Sequence, residues 1–158
     1  MPPYFGVDRL PVLAQFFENW PKEIPLAVEV RHESWFENSA NFEQLVELSQ
    51  KHRKPLVITD VAGRRDVLHL GLSTPTTMVR FVGNGLHPTD YERIDEWVEL
   101  LKKWSSNGVK EIYFFPHQPD NILTPEISNY IAKSLIKIPG IITRGPDLRD
   151  ENKQLSLL

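Results

Sequence analysis

The sequence predicts an α/β fold of parallel strands alternating with helices, on three observations. Four short apolar runs, Leu26 to Arg31, Leu56 to Asp60, Thr77 to Val82 and Glu111 to Phe115, are rich in β-branched and aromatic residues and read as strands. They are largely continuous rather than alternating in hydrophobicity, the pattern of parallel strands covered on both faces. Segments of helical period separate them in the order α-β-α-β-loop-β-α-β-α, and strands joined by such crossovers pair in parallel. This order fits an open doubly wound sheet as well as an arc of a barrel.

The helices follow from spacing and end signals. Leu10, Leu13, Phe17 and Trp20 share one face of a first helix, with Asp8 as its expected cap and Pro11 tolerable in the first turn. Phe42, Leu45 and Val46 mark a second, introduced by Asn41 with Gln44 at the capping-box distance. In the third, Thr89 and Glu92 form a capping box before the stripe Ile94, Trp97, Val98, Leu101 and Trp104, which ends at Asn107-Gly108. Thr124-Pro125 opens the fourth, with Ile127, Tyr130, Ile131 and Leu135 facing inward and Pro139-Gly140 as its stop. Val61 to Thr76 reads as a long loop, and residues 143–158 as a polar, poorly ordered tail beyond a domain of residues 1–142.

Composition narrows the class of protein. The 158 residues are 41% hydrophobic and 25% charged, the balance of a globular domain. A net charge of −3 argues against a surface built wholly to attract nucleic acid or anionic membrane. The absence of cysteine excludes disulfides, thiolate nucleophiles and cysteine-held zinc, and fits a reducing compartment. With no leader-like start and no long apolar stretch, the expectation is a soluble, cytoplasmic protein without a membrane span.

Glu29-Val30-Arg31-His32-Glu33-Ser34-Trp35 resembles the Glu-x-Arg-His-x-x-Trp signature of the YecE-like family, a domain of unknown function (domain of unknown function 72). Met1-Pro2-Pro3-Tyr4-Phe5, the strand Leu56 to Asp60, Val79-Arg80-Phe81-Val82-Gly83 and Ile112 to Phe115 resemble further marks of the family, so the likeness covers about residues 1–135. Val82 stands where the family commonly has His, and Pro116-His117-Gln118 where it has an Asn-rich end. The resemblance implies a TIM-type barrel, which takes roughly 250 residues. It implies that this chain is the C-terminal half, carrying barrel strands five to eight. Such a half exposes sheet edges, so a homodimer or the missing N-terminal half-barrel is the expected partner.

In a barrel, side chains at the carboxyl ends of strands line the site. That rule selects Glu29, Asp60 and His32 for acid–base work and Arg31, Trp35, Arg80 and His117 for ligand binding. Glu29 and Arg31 share a strand face, so they form either an ion-paired base or a structural pair. His32 shuttles protons or caps the strand, and Trp35 stacks on a ligand or covers the core. Asp60 with Glu29, His32 and His117 offers an oxygen and nitrogen set for a divalent metal ion, or else caps a loop. Gly83-Asn84-Gly85 with Arg80 reads as an anion site or as an ordinary turn. The main functional expectation is a small anionic or phosphorylated ligand at the rim. The alternatives are a nucleic-acid-binding or metal-dependent phosphodiesterase-like barrel using Arg64, Arg65 and Arg80, and a fragment with no activity of its own.

Overall fold

Parallel pairing organises the middle of the chain in the computed structural model, which describes residues 1–64 and 66–146. Strands β1 (Val57–Val61), β2 (Thr76–Val82) and β3 (Glu111–His117) form a three-stranded parallel sheet in chain order, with Thr59 opposite Arg80 and Arg80 opposite Phe115. Leu26 to Arg31 is not a full strand. It meets β1 through one parallel bridge, Val28 with Leu56, closed by Val28 N to Pro55 O and Val57 N to Val28 O, both 2.9 Å. Among the described residues its pairing with β1 does not extend past that bridge. Pro116 lies in β3, a place open to a residue without an N–H because β3 is a sheet edge.

Four α-helices pack on the sheet: α1 (Leu10–Asn19), α2 (Ser39–Lys51), α3 (Pro88–Ser106) and α4 (Thr124–Leu135). Their starts correct the expected caps. Asp8 belongs to a preceding 3-10 turn, and α1 has no side-chain cap. Asn38, not Asn41, caps α2, and His87, not Thr89, caps α3 through its ring nitrogen and the Thr89 amide. Position decides here: a cap must lie one residue outside the first helical residue, and Pro88 suits the first turn itself.

All four helices lie on the same side of the sheet. Leu13 and Phe17 of α1 and Leu45 of α2 close over Val28, Val30, Leu56 and Trp35. Ile94, Trp97, Val98 and Leu101 of α3, with Ile127 and Ile131 of α4, close over Ile58, Val79 and Phe81. Each such side chain contributes on the order of 1.5–3 kcal/mol by leaving water. Over β2 and β3 the opposite face has no such cover: Met78, Arg80 and Val82 are only partly buried, and Tyr113, Phe115 and His117 are exposed. The expectation of strands covered on both faces holds for β1, whose Val57, Ile58, Thr59 and Asp60 are all buried, and fails for β2 and β3, which alternate between the two environments. The long loop after β1 stands as expected. Of the expected tail, residues 147–158 lie outside the described residues, as does Arg65. Among the described residues no helix is long and apolar enough to cross a membrane.

His69 seats this loop on the core. Its ring lies 4.7 Å from that of Phe42 and stacks at 5.9 Å on Phe36, and Nε2 meets the Val57 carbonyl oxygen at 3.2 Å. Burial pulls its pKa from 6.5 down to about 4, against a smaller opposing effect of the Val57 carbonyl. The folded protein thus holds a neutral ring that the unfolded chain protonates first. Stability should fall as pH drops from 6.5 towards 4, by at most about 1.4 kcal/mol per pH unit from this group. Melting curves of His69→Gln across that range should be flatter than those of the unaltered chain; parallel curves would remove His69 as the cause.

Candidate functional site

Side chains alternate along a strand, so every second residue of β1, β2 and β3 points away from the helices. Thr59, Arg80 and Phe115 do so in one row, by their register. Glu29 reaches this row from the bridge segment. Its Oε1 accepts from Thr59 Oγ1 at 3.1 Å and from Arg80 Nε and Nη2 at 3.2 and 2.9 Å. Arg31 binds the same carboxylate in a two-pronged pair, Nε to Oε1 at 3.1 Å and Nη2 to Oε2 at 3.2 Å. Glu29 is 14% exposed, whereas the side chains of Arg31 and Arg80 are 49% and 36% exposed.

Charge follows from this geometry. Burial pushes the Glu29 carboxyl up, but the hydrogen bond from Arg31 and the nearby charges of Arg80 and Arg31 outweigh it, and the net pKa lies below the ordinary 4.5. The carboxylate stays ionised and is a weak proton acceptor. Two guanidinium groups face one carboxylate, so the cluster carries a net positive charge. Nη1 of each arginine makes no hydrogen bond among the described residues.

Asp60 does not join this cluster. One residue after Thr59, it faces the helices and is 1% exposed. Arg93 Nη1 donates to its Oδ1 and Trp97 Nε1 to its Oδ2, both at 2.8 Å. Arg93 Nη2 also reaches Asp90 Oδ1 and the Val82 carbonyl oxygen, both at 3.0 Å, and the guanidinium sits 4.2 Å above the Phe81 ring. The acid–base expectation for Asp60 gives way to a structural one, because the strand's two-residue period separates its carboxylate from that of Glu29.

The same network occupies the turn after β2. Asn84 N donates to Asp90 Oδ2 at 2.7 Å and Gly85 N to Gln118 Oε1 at 2.9 Å, while Gln118 Nε2 meets Asp90 Oδ2 at 3.3 Å. A Cβ on Gly83 would fall 2.3 Å from Gln118 Nε2, and Gly85 has a φ of +67°. These glycines admit a buried glutamine and a carboxylate from the protein itself. The amides of Asn84 and Gly85 are consequently taken, and the expected anion site at Gly83-Asn84-Gly85 is replaced by this internal acid.

Two further expectations resolve structurally. His32 caps a 3-10 turn, its Nδ1 accepting from Ser34 N at 3.2 Å and lying 2.8 Å from Ser34 Oγ. Trp35 is fully buried, stacks on Phe5 and donates from Nε1 to the Phe5 carbonyl oxygen at 2.7 Å, so it has no face to offer a ligand. His117 is exposed at the end of β3, on the open face. Among the described residues no three His, Asp or Glu side chains gather to hold a metal, so Glu29, His32, Asp60 and His117 do not form the expected ligand set. Arg64 is paired with Asp66 at 2.8 Å in solvent, which matches its charge. Sequence reasoning missed Thr59, Phe115, Arg93 and Asp90 as parts of this region, and placed Gln118 on the rim only as part of a polar loop, residues 116–121. Counting from Arg80 along paired strands would have found the first two; nothing local marked the rest.

Comparisons with known proteins bear on the family and the fold. The family described as Protein of unknown function DUF72 matches residues 1–154. The UPF0759 protein YecE of Escherichia coli K12 is 23% identical over 87% of this chain and 56% of its own length, and the protein of the same name in strain O157:H7 gives the same figures. A crystal structure of a DUF72 family protein (EF0366) from Enterococcus faecalis V583 superposes with a TM-score of 0.69 at 19% identity, over 86% of this chain and 59% of that one. A second crystal structure of that protein gives 0.63 over 95% and 61%. The chain thus spans just over half the length of the curated relatives it matches.

Two outcomes are expected. Arg93→Leu leaves Asp60 and Asp90 buried without their cation and should destabilise by about 3–5 kcal/mol in urea unfolding; a loss under ~1 kcal/mol would mean the network is not rigidly held. The ionised Glu29 carboxylate stabilises fully above pH 4.5 and less as pH falls through its lowered pKa. The melting-temperature gap between the unaltered chain and Glu29→Gln should therefore be widest near neutrality and close below pH 4.5. A gap that stays constant with pH would show that the carboxylate's charge is not what stabilises.

Proposed function

Because the chain belongs to the DUF72 family, whose function is unknown, we propose its role from the site alone: Arg31 and Arg80, aligned by Glu29, hold a small anionic or phosphorylated ligand on the open face of the sheet. The observation that carries this reading is the pairing of two partly exposed guanidinium groups on one mostly covered carboxylate. Glu29 fixes both forks in place, so little side-chain freedom is lost when a phosphate or carboxylate arrives. Its lowered pKa makes it an aligning group rather than a base. With Asp60 turned to the core and His32 engaged by Ser34, binding rather than turnover is what the chain alone supports.

The sheet is, in this reading, an arc of a (β/α)8 barrel. Strands in chain order, helices on one face and a bare opposite face support it, as do relatives nearly twice as long. Further β/α units, from a second copy or from the remainder of a longer chain, then complete the wall beyond the open edge of β3. The nucleic-acid alternative is weaker, since Arg64 is paired and the acidic network lies behind the rim. Titration with inorganic phosphate should show a dissociation constant near ~1 mM that weakens as salt rises. Arg31→Gln and Arg80→Gln should each weaken it about tenfold, the effect of one charge-assisted hydrogen bond. Affinity in both variants unchanged from that of the unaltered chain would end the proposal.

A further inference from the structure

We infer that two copies of this chain join head to tail, the β3 edge of each pairing in parallel with the outer edge of Leu26 to Arg31 in the other. The inference deepens the barrel reading above and rests on it; it needs nothing of the ligand reading.

Exposed apolar side chains mark the two places. Among the described residues ten large hydrophobic side chains are exposed. Four lie between Tyr4 and Ile24, around α1, with Val12 at 50% and Phe16 at 37%; five lie between Tyr113 and Ile142, along β3 and α4, with Phe115 at 51% and Ile136 at 64%. The tenth, Leu70, is in the loop after β1, and α2 and α3, which stand between the two groups, have none. Apolar exposure gathered at both ends of the element order marks two surfaces made to be covered.

The backbone is open at the same two ends. Val28 spends its N–H and carbonyl on β1, so those of Ala27 and Glu29 point outward, and among them only the Glu29 carbonyl oxygen has a partner, Met1 N at 2.6 Å. At the other end the His117 carbonyl oxygen accepts from Gly83 N at 2.9 Å. By the two-residue period of a strand, Tyr113 and Phe115 also turn their backbone groups to β2, and Ile112 and Phe114 turn theirs outward, where no strand pairs with them among the described residues.

A second copy fits both ends at once. Each copy has one edge of each kind, and its strands run in one direction, so the last edge of one continues into the first edge of the other without reversal. Two such junctions close a ring about a two-fold axis. Pairing two β3 edges with each other would leave the α1 end of both copies in water. Size agrees as well: the chain spans 56% of the length of the Escherichia coli K12 relative, so a second copy brings about as much chain as the remainder.

Sedimentation of the unaltered chain at micromolar concentration should show twice the 18.3 kDa mass of one chain. Ala27 and Phe115 turn away from the helices at the two edges, so the junction sets Ala27 of one copy near Phe115 of the other. The sequence has no cysteine, so Ala27→Cys and Phe115→Cys each supply a sole thiol. Mixed and allowed to exchange, the two variants should be joined by a short bismaleimide far more than either alone, because like positions face each other across the ring. A monomeric unaltered chain overturns the inference and leaves the barrel reading standing, with further units of a longer chain as the cover of both ends. A dimer whose mixed variants, melting like the unaltered chain, give no more product than either alone also overturns it. Strong self-linking of Phe115→Cys in that dimer overturns the barrel reading with it.

Discussion

Arg93 is the constraint on which the rim of this sheet depends. A single guanidinium, anchored on the first half of α3, joins Asp60 of β1, the last carbonyl of β2 and Asp90 at the start of its own helix. Asp90 and Gln118 then bind the turn after β2 to the residue after β3. Such a buried array is stable only when each member is satisfied, because a lone buried charge is costly to desolvate. The carboxyl ends of three strands are held in one arrangement by it, and the open face inherits that order.

On the open face the same alternation produces a different chemistry. Glu29, Thr59 and Arg80 gather there because each stands at the parity opposite to Val28, Ile58 and Val79, which are buried with the helices. Water reaches Arg31 and Arg80 but little of Glu29, so the carboxylate acts as an anchor and the guanidinium groups as the accessible surface. Two carboxylates, Glu29 bound to Thr59 and Asp60 next to Thr59 in β1, therefore do unrelated work. The Asp60 side holds the fold together; the Glu29 side is available to a ligand.

Membership of the DUF72 family and the likeness to a solved family member at a TM-score of 0.69 account for the architecture, while 19% identity leaves the chemistry to be read from the residues. The sheet has one face that no helix covers and, among the described residues, an unpaired edge at β3, and the chain spans just over half the length of the curated relatives it matches. The cluster at Glu29 stands beside that face, so completing the wall and enclosing the site are one event in the barrel reading.

Much of the fold was legible in the residues. Local runs of β-branched and aromatic side chains located three strands, and helical spacing located all four helices, since both signals depend on a few neighbours in the chain. The pairing of Glu29 with Arg31 was equally local, two residues apart on an extended segment. Tertiary structure alone decided the rest. How far Leu26 to Arg31 pairs with β1 depends on contacts distant in the chain, and whether Asp60 joins Glu29 depends on which face the helices cover. Arg80 meets Glu29 across 51 positions of chain, and Gln118 enters the turn at Gly85 across 33. Sequence pattern carries the period of a strand but not its phase relative to the core, and that phase determined which charged groups became structure and which remained a site.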